Sequence, residues 1–287
     1  MRELAPSGRP ETPSASLSAS TSAPRPASRA DMAVSMSSSI ASERPVTPAP
    51  PDASTPTQSS SDPAEPQFVN TGRELDEVFK NMTWEFEGRE TEQNWEKREN
   101  GMKTLRRLMA GNAPADFHDA MLANLKNMQD GIIKSLTTLR TSLAKEACAV
   151  VEDIAQTFGA AMEPMVELLM QTLLKMSAAT KKITSNLANT TIDTIIGKVA
   201  YTPRLMYHIS SASTDKNVQP RTYATGWLKT LLKKAATHKN HIEHTGGLDL
   251  IEKSIKKGLS DANPTVREKM RSTYWAFWGV WPARANA

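Results

Sequence analysis

The side chains best placed to do chemistry in this sequence are cations and one indole ring: Trp95, Arg98, Arg140, Lys145, Lys181, Lys182, Lys216, Arg221 and Arg267. Their chemistry is association rather than bond making. Guanidinium and ammonium groups pair with carboxylates, and an indole ring excludes water from a contact. The reactive residue types offer less. His238, His241 and His244 form an H-x-x-H-x-x-H pattern that a helix would spread over about 120° of its circumference, so they are expected to be solvated helix-end histidines rather than metal ligands. Cys148, the only cysteine, follows Ala147 on an apolar face and reads as a small buried hydrophobe. Gly246-Gly247 has no Lys-Ser/Thr downstream, and no G-x-S-x-G turn exists. No cofactor, metal or catalytic activity is expected.

The elements that must position those cations lie in only part of the chain. Residues 1–66 hold 12 of the 18 prolines and 16 serines, with no Lys, Phe, Trp or Tyr. Such a segment cannot bury enough apolar surface to offset about 1–2 kcal/mol per residue of backbone ordering, so a disordered Ser/Pro-rich linker is expected there. Its Thr12-Pro13, Thr47-Pro48 and Thr55-Pro56 steps are candidate phosphorylation sites. The linker carries five Arg against seven acidic residues, so of the net +4 the remainder, 67–287, carries +6. No apolar run of about 18 residues is present, and Met1–Pro6 opens no apolar leader, so neither membrane insertion nor secretion is expected.

From Phe68 onward the apolar residues recur with helical period. Leu75, Val78, Phe79 and Met82 mark one helix; Trp95 through Met109 marks a second, stopped near Gly111 and Pro114. A third runs from Phe117 to Leu136, with a kink expected near Gly131. Four later segments resemble one another: Leu139–Gly159, Lys181–Val199, Lys216–Ala236 and Asn263–Val280. Leu143, Ala147, Val150, Val151 and Ile154 of the first align with Val266, Met270, Thr273, Tyr274 and Phe277 of the last, with Ala224, Trp227, Leu228 and Leu231 of the third, and with Ile183, Leu187, Thr190, Thr191 and Ile195 of the second. Shorter amphipathic stretches follow at Met165–Met176, Pro203–Ile209 and Leu248–Leu259. Spacing of about 40 residues is that of HEAT-type helix pairs, which hide their apolar faces by stacking. An all-α HEAT-repeat solenoid of about five pairs plus an extra N-terminal helix is therefore expected over 67–287, its end sealed by Tyr274, Trp275, Phe277, Trp278 and Trp281.

In such a stack the starts of the longer helices share one edge, and the cations named above recur there, with Trp95 near the N-terminal end. An aligned basic edge attracts an acidic partner. A charge of only +6, without a basic run longer than two residues, argues against general nucleic-acid binding. Two alternatives stay open on the residues alone: a HEAT adaptor or transport scaffold that takes peptides on its concave face, and a weak RNA or DNA binder.

The ordered motifs resemble a known family, the TOG domains of CLASP microtubule-stabilising proteins, most closely the second such domain. Arg73-Glu74-Leu75 is similar to its extra N-terminal helix, and Asn94-Trp95-Glu96-Lys97-Arg98 to its first loop. Leu139-Arg140-Thr141-Ser142 with Lys145–Cys148 resembles the second loop, Ile183-Thr184-Ser185 the third, and Lys216-Asn217-Val218 with Arg221 the fourth. Asp261-Ala262-Asn263 with Arg267 resembles the fifth. The resemblance implies binding of αβ-tubulin and microtubules, with Trp95 packed against tubulin and Arg98, Arg140, Lys145, Lys181, Lys182, Lys216, Arg221 and Arg267 facing its acidic groups. It implies catastrophe suppression and rescue in the spindle of a fungus, in the cytoplasm and cytoskeleton or, in closed mitosis, the nucleus. It also implies that the N-terminal helix sets the bend of the edge, so that deleting residues 71–82 should impair rescue more than folding.

Overall fold

A computed structural model describes residues 64–286; the Thr-Pro steps and nearly all of the Ser/Pro-rich segment lie outside the described residues. Every regular element among the described residues is helical. In chain order these are α1 (Gly72–Thr83), α2 (Trp95–Ala110), α3 (Ala113–Asp116), α4 (His118–Asn127), α5 (Gln129–Leu136), α6 (Thr141–Phe158), α7 (Glu163–Ser177), α8 (Lys182–Lys198), α9 (Pro203–Ser213), α10 (Val218–His244), α11 (Gly247–Leu259), α12 (Pro264–Val280) and α13 (Pro282–Ala285). Helices α2, α6, α8, α10 and α12 pack side by side as one layer, while α5, α7, α9 and α11 form a second. This is the stacked-pair solenoid that the repeat spacing calls for, with a fifth second-layer element reduced to the single turn of α13.

Side-chain caps fix the starts of α1, α9, α10 and α12. Thr71 caps α1 by accepting from the Glu74 amide, and the Glu74 carboxylate accepts in return from the Asn70 amide, a close variant of the capping box. Thr202 caps α9 in the same way, with Pro203 at the first helical position, where a missing N–H loses nothing. The third helical stretch breaks at Met128, between α4 and α5, not at Gly131. Gly131 serves close packing instead. A Cβ there would stand 3.0 Å from the Phe86 ring, and one at Gly101 would do the same. Phe86 is thus clamped between two glycines that let the backbones close on it.

One continuous core runs from Val69 to Trp281. The aligned positions of the first and third repeat segments are all buried, but the second is set in a different register. Ser185, Ala188, Ile192 and Ile195 face inward on α8, and Ile183 is turned out. The C-terminal aromatic cluster also divides. Phe277 and Trp281 are buried, whereas Trp275 (65 % exposed) and Trp278 face solvent, because they lie across the helix from the buried face of Met270, Thr273 and Phe277. Helix α1 buries Leu75, Phe79 and Met82 in the same core, at about 1.5–3 kcal/mol for each such side chain. Deleting residues 71–82 is therefore expected to cost folding stability, whatever it does to rescue.

Helix α10 is the longest element, and its extra turns serve its neighbours. The Lys234 ammonium donates to the Ile196 and Val199 carbonyls at the end of α8, and Lys239 donates to the Val280 carbonyl at the end of α12. Cations at helix C-termini satisfy orphan carbonyls and the macrodipole together. A charged cluster ties the first layer elsewhere: Arg106 of α2 bridges Glu146 and Asp153 of α6 at 3.1 and 3.0 Å, and Thr191 of α8 donates to the buried Glu152 at 2.7 Å.

Candidate functional site

Contacts between repeats place the starts of the first-layer helices in one row. Arg140, the residue before α6, holds its guanidinium 4.6 Å from the centre of the Trp95 ring at the start of α2. Lys181, the residue before α8, donates to the Thr141 hydroxyl at the start of α6. Asn217, which caps α10, reaches the Ala178 carbonyl in the loop before α8 at 3.2 Å. Arg221, in the first turn of α10, grips Asp261 in the loop before α12 with two bonds of 2.8 and 3.2 Å. Step by step, each repeat's helix start touches the next.

Within this row the arginines and lysines part company. Arg98 is only 2 % exposed. Its Nε donates to the Glu85 carbonyl at 2.9 Å and its Nη2 to the Glu87 and Gly88 carbonyls at 3.2 Å. That placement corrects the expectation of a surface contact: Arg98 binds the loop that precedes its own helix. Arg221 spends its fork on Asp261 and its Nη1 on the Asp215 and Lys216 carbonyls. Arg267 donates from Nη1 to the Asp261 and Ala262 carbonyls, at 2.6 and 2.9 Å. Arg140 stays half-exposed but is ion-paired to Glu90 and Glu92. Lys145, Lys181, Lys182 and Lys216 are exposed. The physical reason is the shape of each group: a planar fork holds several fixed acceptors at once, whereas an ammonium on a flexible stem stays hydrated even while it donates to a neighbour, as Lys181 does to Thr141.

The sequence did not reveal how apolar the same row is. Leu139 is 94 % exposed, and Ile183 and Val218, in the first turns of α8 and α10, are exposed as well. A discernible signal was available: each lies within two residues of the start of a first-layer helix, ahead of the residues that reach the core. The edge therefore offers Trp95 and a broken line of aliphatic groups, flanked by lysine ammonium groups and stiffened from behind by arginines. Such a surface suits an acidic protein face with apolar depressions.

Burial excludes a thiol role for Cys148, whose group is pushed up to about 12 by desolvation. His241 stacks edge-on against Tyr201, and the His244 ring bonds the Asn240 carbonyl of its own helix. Among the described residues no three His, Cys, Asp or Glu side chains group as metal ligands, and no helix is long and apolar enough to cross a membrane.

The Arg221–Asp261 pair carries a pH signature. Arg221 holds the Asp261 carboxyl below its ordinary value, against an opposing push from burial. The unfolded carboxylate, near 3.9, takes up a proton first as pH falls; the stabilisation is full above that value and vanishes as pH drops through the folded one. Asp261→Asn is accordingly expected to be less stable than the wild type at pH 5–7, with the gap closing below about pH 4. Urea unfolding of both proteins across that range checks it, and a gap that persists at low pH would contradict the pairing.

Comparison with known proteins gives the same edge a lineage. A family profile described as CLASP N terminal matches residues 75–287. The chain is 63 % identical to Protein stu-1 of Neurospora crassa, over 93 % of this chain and 23 % of that protein. It is 56 % identical to Protein STU1 of Gibberella zeae, over 100 % of this chain and 24 % of that protein. The chain thus spans less than a quarter of the length of these relatives. Among solved structures, the TOG domain of C. elegans Zyg9 matches with a TM-score of 0.52 at 12 % identity, covering 76 % of this chain and 80 % of that one, a likeness of fold. Helix starts in one row, a HEAT-type stack and the match over residues 75–287 together lead to one conclusion: the chain belongs to the CLASP family.

Proposed function

We propose that this chain binds αβ-tubulin through the row of first-layer helix starts and stabilises dynamic microtubules, suppressing catastrophe and promoting rescue at the spindle. It acts by binding and needs no catalytic group or cofactor. The observation that carries this reading is the joint placement of Trp95, under Arg140, with exposed Leu139, Lys145, Lys181, Lys182 and Lys216 on one edge. Membership of the CLASP family and a TOG-like fold support tubulin as the partner. The arginines of the row set its shape, and the indole, aliphatic and ammonium groups meet the partner. An edge braced in this way favours whichever tubulin curvature it fits, by no more than its difference in affinity between curved and straight states.

Microtubule co-pelleting across a salt series tests the reading. Exposed ion pairs contribute about 0.2–1 kcal/mol each and are screened within about 10 Å at 0.1 M salt. Reversing two charges, Lys181→Glu with Lys182→Glu, is expected to weaken pelleting about five- to tenfold at low salt and to flatten its salt dependence. Because much of the edge is apolar, part of the wild-type binding should survive at high salt. Wild-type chain that stays in the supernatant at every salt concentration would refute the proposal.

A further inference from the structure

Two of the chain's own carboxylates hold Arg140 beside Trp95. Glu90 and Glu92 stand in the loop that leads into α2, and both reach across to Arg140, the residue before α6. Glu92 accepts from Arg140 Nη2 at 2.5 Å. Glu90 lies 3.6 Å from Arg140 Nε and accepts from the Thr138 hydroxyl at 2.9 Å. That hydroxyl oxygen in turn accepts from the Arg140 amide at 3.1 Å. The loop that carries the two glutamates is itself fixed. Buried Arg98 bonds the Glu87 and Gly88 carbonyls, and Gly88 turns the chain with a positive φ of 68°. The Asn94 side chain accepts from the Thr91 amide at 2.8 Å and donates to the Arg89 carbonyl at 3.0 Å. An unbroken line of contacts therefore runs from Arg98 through the loop to Glu90 and Glu92, on to Arg140, and ends 4.6 Å from the centre of the Trp95 ring.

Charge alone does not account for this arrangement. An edge that meets an acidic partner gains nothing from acids of its own, since like charges brought together cost affinity. Holding a side chain in the rotamer it needs when bound does gain affinity, because less freedom is lost on association. We infer that Glu90 and Glu92 are positioning residues: their charge-assisted bonds keep the Arg140 guanidinium over the Trp95 ring and so fix the indole in the orientation that the partner meets. This deepens the tubulin reading and rests on it. The two glutamates act on the partner through Arg140 and Trp95, so their effect on binding has the opposite sign from that of their charge.

The test uses the full chain and purified αβ-tubulin. Combining Glu90→Gln with Glu92→Gln keeps the shape of both side chains and an acceptor for Thr138, yet removes the ionic hold on Arg140. This double variant is expected to bind tubulin about fivefold more weakly than the wild type, although it takes two negative charges off the edge. Glu96→Gln takes away an exposed charge next to Trp95 but leaves the Arg140 pairs intact, and should bind at least as tightly as the wild type. In an Arg140→Gln background the two glutamate changes should add no further weakening. A second readout needs no tubulin. With fluorotryptophan incorporated, the Trp95 line in the fluorine NMR spectrum, assigned through Trp95→Phe, should shift or broaden in the double variant while far-UV circular dichroism keeps the wild-type spectrum. Unchanged or tighter binding of the double variant, or an unmoved Trp95 line, would overturn the inference and leave the tubulin reading standing. Wild-type chain that does not bind tubulin would remove both. If the double variant melts early, Glu92→Gln alone, at the more exposed of the two positions, carries the same comparison with an expected loss of about two- to threefold.

Discussion

Replacing Trp95 with glutamate is expected to weaken tubulin binding at least a hundredfold and to leave the fold in place. Two effects add. Loss of a central indole anchor from an interface typically removes about 2 kcal/mol or more. A carboxylate presented to an acidic partner adds a like-charge penalty of similar or larger size. Their sum exceeds the ~2.7 kcal/mol that corresponds to a hundredfold change in affinity. The fold should tolerate the change, because Trp95 is half-buried at a helix start and Arg140, 4.6 Å from its ring, would meet the new carboxylate. The assay is co-pelleting or direct titration with tubulin beside circular dichroism. A Trp95→Glu variant that binds within about threefold of the wild type would remove Trp95 from the contact and the edge with it.

Arg98→Ala should behave in the opposite manner, lowering stability first and binding only as a consequence. The guanidinium is 2 % exposed, bonds the carbonyls of Glu85, Glu87 and Gly88, and lies 5.9 Å from the Phe86 ring centre. Truncation strands those carbonyls and opens a void. At about 1–3 kcal/mol for a buried acceptor left unpaired, and less for the two nearer solvent, the loss is about 2–4 kcal/mol. For a domain of this size that lowers Tm by about 5–15 °C. Arg98→Lys should rescue little, since an ammonium does not reproduce the fork. Thermal melts of the variants beside tubulin binding separate the cases. Wild-type Tm combined with lost binding would return Arg98 to the surface role that its place in the motif implies.

The contrast between these two residues, three apart in one helical turn, shows where legibility stops. Both stand in Asn94-Trp95-Glu96-Lys97-Arg98, and nothing in that string separates an outward indole from an inward guanidinium. The carbonyls that claim Arg98 come from a loop some ten residues upstream, and the Asp261 that claims Arg221 lies 40 residues downstream. Charge carries no periodicity, so the direction of a cation follows from the partners that folding brings to it.

Apolar periodicity is different in kind. Leu143, Ala147, Val150, Val151 and Ile154 recur at the helix repeat because all of them must leave water on one side of one cylinder, and that demand is written locally. So the helices, their pairing at about 40-residue intervals, the shared edge of their starts and the CLASP-like order of the loops are properties of the sequence itself. Packing decided what a one-dimensional pattern does not encode: Ile183 turned outward, Trp275 left in solvent, Phe86 clamped by Gly101 and Gly131, and Arg98 withdrawn into the loop before its helix while Leu139, Lys145, Lys181, Lys182 and Lys216 stay exposed. Each of those outcomes depends on atoms far apart along the chain, and only close-packing in three dimensions brings them within reach of one another.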